Sequence, residues 1–363
     1  MKKLVALILT LMLVLSFATV SFAASTKGTA VAGTSKSKTA TALNPSTWTS
    51  DITLSLPSAE EKLETDVVFV LDTSSCVGEV MGKVSGLLAK LKTAQEKNNA
   101  DIKVGAVIFN GSSYTMFVAT AIESLNDLST NATSEETVWA YFGLDKDPNY
   151  VNKGSNLHAG LRAAQKLLDS DDAVSAGRKY LVSITDGMTY YWEKDGRTYA
   201  IYNNGYSQSA NRIQNLFYGW QSAWGIGSGY TLPSGGLDWD SYIENVRERI
   251  KKDNGVYDTD IRALVKALNL NYSAVRFVYG HEAEFTKLGY QYVSGYKKDD
   301  CSAFKDHALG VERSVVECLD TYQEMVDAGY QCYTLNPDYG IDTFPGLFTS
   351  KLNEMAKKTG IDF

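Results

Sequence analysis

The run Asp72-Thr73-Ser74-Ser75-Cys76 stands at the exit of a fully apolar strand pattern, Val67-Val68-Phe69-Val70-Leu71. Carboxylate and hydroxyl side chains crowded where a strand hands over to a helix supply hard oxygen ligands, which is the chemistry that holds a divalent cation. Asp and Ser are also ordinary helix N-caps, so the run by itself fits capping as well as metal binding. Two later segments bear on that choice. Lys153-Gly154-Ser155-Asn156 precedes a stretch in which Leu157, Leu161, Ala164, Leu167 and Leu168 recur at helical spacing, which puts Ser155 on a loop at a helix start. Tyr180-Leu181-Val182-Ser183-Ile184 reads as a second buried strand, and Thr185-Asp186-Gly187 follows it with another carboxylate at the strand's exit. The chemistry these residues offer is binding, not turnover.

The elements that must position them alternate between strand and helix. Asp51 to Leu56 alternates as a short strand feeding the domain. After the first core strand, Val84, Leu87, Leu88 and Leu91 mark one face of a helix ending near Asn98-Asn99. Ile102 to Phe109 is a further apolar strand, and Asn110-Gly111-Ser112-Ser113 turns it into Tyr114 to Ala119, a hairpin that predicts one antiparallel edge strand. A helical stretch carrying Val138, Trp139 and Phe142 precedes the Ser155 loop. Near the C-terminus, Val315, Leu319, Tyr322 and Val326 form a helical stripe, Tyr330 to Leu335 a strand, and Phe348, Leu352 and Met355 a last helix. This alternation implies an α/β fold with a doubly wound, mostly parallel, Rossmann-like sheet.

In their order and spacing, Asp72-x-Ser74-x-Cys76, Ser155 and Asp186 resemble the metal-ion-dependent adhesion site of the von Willebrand factor type A domain, over most of the chain from about Thr53 onward. The resemblance implies that Asp72, Ser74 and Cys76 come from the first motif, that Ser155 stands where the family usually has Thr, and that Asp186 is the distal carboxylate. It implies Mg²⁺ or Mn²⁺ as cofactor, with Ca²⁺ less favoured, and a partner whose Glu or Asp completes the coordination. Type A domains usually add a further strand and helix after the last helix seen here, so the sheet is expected to be one strand short or the sequence a fragment. The departure that matters is Cys76, where the family has Ser. A thiol is a soft ligand that binds Mg²⁺ poorly, so it either removes one ligand or biases the site toward a softer ion such as Mn²⁺ or Zn²⁺. A cysteine at a helix start with His158 nearby also reads as a nucleophile and base, although a partly exposed surface histidine is the commoner outcome at such a position.

Composition bounds the rest. Met1-Lys2-Lys3, the apolar run from Leu4 to Leu15 and the small-residue site at Ser21-Phe22-Ala23 read as a secretory signal peptide over residues 1–23. No second apolar run reaches the roughly 18 residues of a membrane span, so the product is expected to be secreted or displayed on the cell surface. Residues 24–50, rich in Ser, Thr, Ala, Lys and Gly, read as a flexible leader. The net charge of -7, without a Lys/Arg block, excludes nucleic acid as a natural partner. Four cysteines are too few for a disulfide framework, and Cys318 and Cys332 are expected as buried free thiols. Three scattered histidines exclude a ligand-spaced zinc pair.

The expected organisation is a domain over 51–187 and 311–363 interrupted by an insertion over 188–310. That insertion holds Tyr190-Tyr191-Trp192, Tyr199, Tyr202, Tyr206, Leu216-Phe217-Tyr218-Gly219-Trp220, Trp224 and Tyr230. These aromatics build a small core of their own, or, with Gly, Ser and Asn between them, a recognition surface in which Trp192 and Trp220 contact a protein or glycan ligand. Asp195-Gly196 predicts a hairpin, and Tyr242, Ile243, Val246 and Ile250 one amphipathic helix. The function the resemblance implies is metal-dependent adhesion to an extracellular macromolecule by a bacterial surface protein, without enzymatic activity. The alternative is a structural component of a surface or pilus-like assembly with a degenerate metal site. Replacing Cys76→Ser restores a hard oxygen and is expected to tighten Mg²⁺ binding about tenfold, or roughly 1.4 kcal/mol, by calorimetry; unchanged or weaker binding would remove position 76 from the coordination shell.

Overall fold

The computed structural model describes residues 37–40, 52–55, 63–72, 77–98, 100–109, 114–121, 155–189, 191–201, 237–268, 286–291, 310–336 and 344–357. A five-stranded sheet lies at the centre, in the order β10-β6-β3-β4-β5. Its strands are β3 (Leu63–Asp72), β4 (Ala100–Phe109), β5 (Tyr114–Ala121), β6 (Lys179–Ile184) and β10 (Gln331–Leu335). β10, β6, β3 and β4 run parallel, and β5 pairs antiparallel with β4 at the edge, as the Asn110-Gly111 signal predicts. Continuous apolar runs suit these strands because both faces are covered. One face carries Val68, Val70, Val107, Phe109 and Leu181, which join the main apolar cluster with residues of helices α2 (Leu157–Asp169), α5 (Gly310–Asp327) and α6 (Phe344–Lys357). The alternate residues Val67, Phe69 and Leu71 are equally buried, as are Val84, Leu87, Leu88 and Leu91 of α1 (Val77–Asn98), which packs on β4 and β3.

The direction of α2 decides where its ends fall. At its C-terminus, the Lys179 ammonium donates to Leu168 O at 2.6 Å, placing that end beside the start of β6. Close to its N-terminus, a Cβ on Gly160 would sit 2.9 Å from Phe109 and 3.0 Å from Val70, near the ends of β4 and β3. Only glycine lets helix and sheet approach so closely here. The helix therefore starts at the carboxyl edge of the sheet and runs back to the amino edge, the crossover geometry of parallel α/β units.

Before the central sheet, β1 (Ser37–Ala40) pairs antiparallel with β2 (Ile52–Ser55), with Thr39 opposite Thr53 in the register; the other residues of 24–50 lie outside the described residues. The described part of the insertion comprises β7 (Trp192–Lys194), β8 (Arg197–Ile201), α3 (Trp239–Asp253), β9 (Asp258–Asp260) and α4 (Ile261–Leu268). The Asp195-Gly196 hairpin forms, with φ of 51° and 71° at the two turn residues, as a two-residue turn of matching twist requires. Of the insertion's residues, Trp192 and Tyr199 form a small apolar cluster of their own with Ile201 and Tyr257, but Tyr191, Ala200, Tyr242, Val246, Ile261 and Leu264 belong to the same cluster as Val68, Leu161 and Val315. The physical reason is α3, whose Tyr242 and neighbouring Trp239 pack on Phe344 of α6, while its Arg249 makes a bidentate pair with Glu312 of α5 at 2.8 and 2.7 Å. Both charged groups are buried, and neither is tolerable without the other.

At the amino edge, the register sets Asp66 of β3 opposite Lys103 of β4 and Lys179 of β6, in one row across the sheet. Asp66 is buried, and Oδ1 has no hydrogen-bond partner among the described residues. Burial first, and the nearby Asp171 second, push its carboxyl up to about 6 against the pull of the two lysines. A carboxyl whose folded value is raised holds its proton more tightly in the folded chain, so its contribution is full below about pH 4 and is lost as pH climbs through about 6. Asp66→Asn is therefore expected to stabilise the protein by about 1–2 kcal/mol at pH 8 and negligibly at pH 4, read from urea unfolding at the two pH values. A variant less stable at pH 8 than at pH 4, relative to wild type, would show that pairing with the lysines outweighs burial.

Candidate metal site at the carboxyl edge

Parallel pairing of β3 with β6 brings the two acidic residues to one edge. Leu71 pairs with Ile184, so Asp72 ends its strand beside Thr185, and Asp186 follows one residue later. Strand alternation puts Asp72 on the face of Val68 and Val70, toward α2. Thr185 shares that face and its hydroxyl donates to Asp72 Oδ2 at 2.8 Å. The same Thr185 Oγ1 accepts from Gly187 N at 3.1 Å, and Asp186 Oδ1 accepts from Met188 N at 2.8 Å, which shapes the turn leaving the sheet. Gly187 holds a φ of +79°, and a Cβ there would meet Pro345 O at 2.7 Å, so α6 closes directly on this turn. Asn336, just past β10, donates to Asp186 O at 3.1 Å.

Ser155 approaches from the start of α2, whose direction puts it at the same edge. Its hydroxyl is fully buried and has no hydrogen-bond partner among the described residues. The capping role that a serine before a helix usually fills belongs instead to Asn156, whose Oδ1 accepts from Ala159 N at 3.1 Å. Capping therefore does not account for Ser155, and a buried hydroxyl without a partner costs on the order of 1–3 kcal/mol unless something satisfies it. Two carboxylates and a hydroxyl, all oxygen, are the donor types that suit a hard divalent cation. Among the described residues, no group of three or more His, Cys, Asp and Glu side chains is placed to hold a metal by those ligands alone. Hydroxyls would have to complete the shell. Ser74 and Cys76 lie outside the described residues.

Thr185 is the participant that motif reading passes over. Its signal lay in the register: it stands one residue before Asp186 and two after Ser183, on the face that Asp72 must share if β3 and β6 are parallel neighbours.

The insertion borders this corner through His158, one turn from Ser155. His158 was expected on the surface and is buried instead, because its Nδ1 accepts from the backbone N of Glu193 in the β7–β8 hairpin at 3.0 Å. Burial, with the charges of Arg162 and Arg313, holds its imidazole down to about 3, so it is neutral at physiological pH. Trp192, expected to be an exposed ligand contact, is also buried: its ring packs with Ile201, Tyr199 and Tyr257, and the Arg313 guanidinium lies 5.5 Å from its centroid. Flanking residues explain the difference, since the hairpin turns Trp192 inward against α5. Trp220 lies outside the described residues. Cys318 and Cys332 are buried free thiols as expected, while Cys301 lies outside. Among the described residues, no helix is long and apolar enough to cross a membrane.

No protein-family profile matches the chain, and no curated protein matches it. Among solved structures, the open conformation of the pilus adhesin SpaC from Lactobacillus rhamnosus GG aligns with a TM-score of 0.33 and 13% identity, over 82% of this chain and 30% of that one. The conserved hypothetical protein BatB from Bacteroides thetaiotaomicron aligns at 0.22 and 13%, over 34% of this chain and 54% of its own. The pilus adhesin RrgA from Streptococcus pneumoniae aligns at 0.22 and 14%, over 46% and 24%. This chain thus spans well under two thirds of each. Likenesses of this size are partial, and they carry neither a fold assignment nor a function to this chain.

Ser155→Ala is expected to raise stability in the presence of chelator by about 1 kcal/mol or more, because it removes a buried hydroxyl that no described group satisfies, whereas Asn156→Ala costs about 1 kcal/mol by removing the cap. Urea unfolding checks both. A loss above about 1.5 kcal/mol for Ser155→Ala would mean its hydroxyl is a structural donor.

Proposed function

We propose that this chain is an exported binding protein of the von Willebrand factor type A kind, in which Asp72, Ser155 and Asp186, with Ser74 and the residue at position 76, hold a divalent cation for a carboxylate of an extracellular protein. The observation that supports it most is the buried Ser155 hydroxyl, unpartnered and relieved of capping, at the edge where Asp72 and Asp186 emerge. When bound, the cation supplies a Lewis-acidic position that an external Asp or Glu oxygen can fill. The chain's residues do the rest. Thr185 orients Asp72, the turn at Gly187 sets Asp186, and the start of α2 presents Ser155. Adhesion needs no proton transfer or nucleophile, so the reading is binding without catalysis, at the cell surface or in secretion. The insertion, tied to α2 through His158 and to α5 through Arg249, is the element placed to select the partner, whether protein or glycan.

A second reading has an observation in its favour. Asp72 and Asp186 already accept hydrogen bonds from Thr185 and Met188, as carboxylates serving only the turn would. On that reading the chain is a structural part of a surface assembly with a degenerate metal site. Mass action separates the two. A saturating concentration of Mg²⁺ or Mn²⁺, a hundred times its dissociation constant, is expected to add about 2.7 kcal/mol to wild-type stability, a shift of several degrees in thermal midpoint, and nothing to Asp186→Ala. A wild-type midpoint unmoved by either ion, or an equal shift in Asp186→Ala, would favour the structural reading.

A further inference from the structure

The C-terminal end of α2 is held by side chains reaching up from the sheet. Lys179 of β6 donates to Leu168 O at 2.6 Å, Lys103 of β4 pairs with Asp171 at 2.7 Å, and the Tyr330 hydroxyl, just before β10, donates to Asp169 Oδ1 at 2.5 Å. Cations suit this end, where the negative pole of the helix dipole lies. Between the two lysines, on the same face of the sheet, stands Asp66 of β3. Neighbouring strands are only about 4.8 Å apart, well within reach of a lysine side chain. Yet neither ammonium turns to it: among the described residues Asp66 makes no ion pair, and its buried Oδ1 has no hydrogen-bond partner. An ionised carboxylate buried between two lysines would draw at least one of them, because an unpaired buried charge is costly. The arrangement is that of the neutral acid. In keeping with it, burial first and Asp171 second push the carboxyl up to about 6, against the pull of Lys103 and Lys179 and with Glu64 adding to the push.

We propose that Asp66 is a proton-operated latch on α2: with its proton it leaves Lys179 on Leu168 O and the helix end clamped, and on losing that proton to solvent it draws the Lys179 ammonium away and loosens the clamp. The groups that face Asp66 are Lys103 from β4, Lys179 from β6, Asp171 after α2 and Glu64 on its own strand. Only the two lysines can answer a new negative charge by pairing with it. Lys103 already has a charged partner in Asp171, whereas Lys179 is committed to a neutral carbonyl, so Lys179 is the one that moves. The latch is closed in mildly acid surroundings, where the folded chain keeps the proton, and open by about pH 8. It needs no cation near Ser155 and stands apart from the reading of that site.

The test is hydrogen–deuterium exchange of the full chain at pH 5 and pH 8, read by mass spectrometry over the last two turns of α2 and corrected for the intrinsic exchange rate at each pH. Amides near a helix end exchange by local opening, so their protection reports how firmly that end is held. Wild-type protection there is expected to fall at least threefold from pH 5 to pH 8, with a smaller change in α5 on the same face of the sheet. Asp66→Asn has the same shape and no proton to lose, and it is expected to keep its pH 5 protection at pH 8. Lys179→Met is expected to show the loosened level already at pH 5 and to fall no further. Wild-type protection that does not change with pH, or an equal fall in α5, would overturn the latch. So would an Asp66→Asn chain that loosens as wild type does. A Lys179→Met chain that still loosens with pH would overturn the part given to Lys179.

Discussion

The hydrogen bond from Thr185 Oγ1 to Asp72 Oδ2 closes the parallel ladder between β3 and β6, and the candidate site depends on that ladder's register. Shifting the pairing by one residue would rotate Asp72 to the opposite face, away from α2 and Ser155, and would bury a different apolar set. Both faces of these strands are packed, so such a slip would misfit side chains on each of them. Register, not the motif by itself, is what makes Asp72 and Asp186 neighbours.

Helix α2 acts as a strut between the two edges of the sheet. Lys179 holds its end through Leu168 O, and Gly160 seats its beginning on Phe109 and Val70. A helix fixed at both ends presents its first residues at a defined height, which is how Ser155 and Asn156 come to lie buried at the carboxyl edge. The insertion is fastened to the same frame. His158 receives the Glu193 amide, Ser314 donates to Tyr191 O at 2.6 Å, and Arg249 pairs with Glu312. Removing one partner of such a buried ion pair typically costs 3–5 kcal/mol. The described part of the insertion is therefore held on the same frame that carries Ser155.

Much of this was legible in the residue pattern. Apolar runs and helical stripes mark β3, β4, β6, β10, α1, α2, α5 and α6 because covered parallel strands and amphipathic helices leave unambiguous periodicities. Asn-Gly and Asp-Gly mark both hairpins in the sequence, and at Asp195-Gly196 the positive φ values show why such a pair is needed. What escaped depends on contacts distant in sequence. His158 reads as a surface residue until a hairpin donor 35 residues on occupies its Nδ1 and buries it. Trp192 reads as an exposed anchor until α5 supplies Arg313 over its ring. Thr185 is a plain turn residue until β3 is placed beside β6. Ser155 and Asn156 could each have been the cap, and only coordinates divide the two roles.

Asp72, Ser155 and Asp186 are proposed to hold one divalent cation between them. Anomalous diffraction at the manganese edge, from crystals of the chain grown with Mn²⁺, tests it directly. The account predicts a peak within about 2–2.5 Å of Ser155 Oγ, bordered by Asp72 and Asp186, and absent from crystals of Ser155→Ala grown in the same way. A wild-type crystal whose Ser155 hydroxyl remains remote from every manganese peak would contradict it.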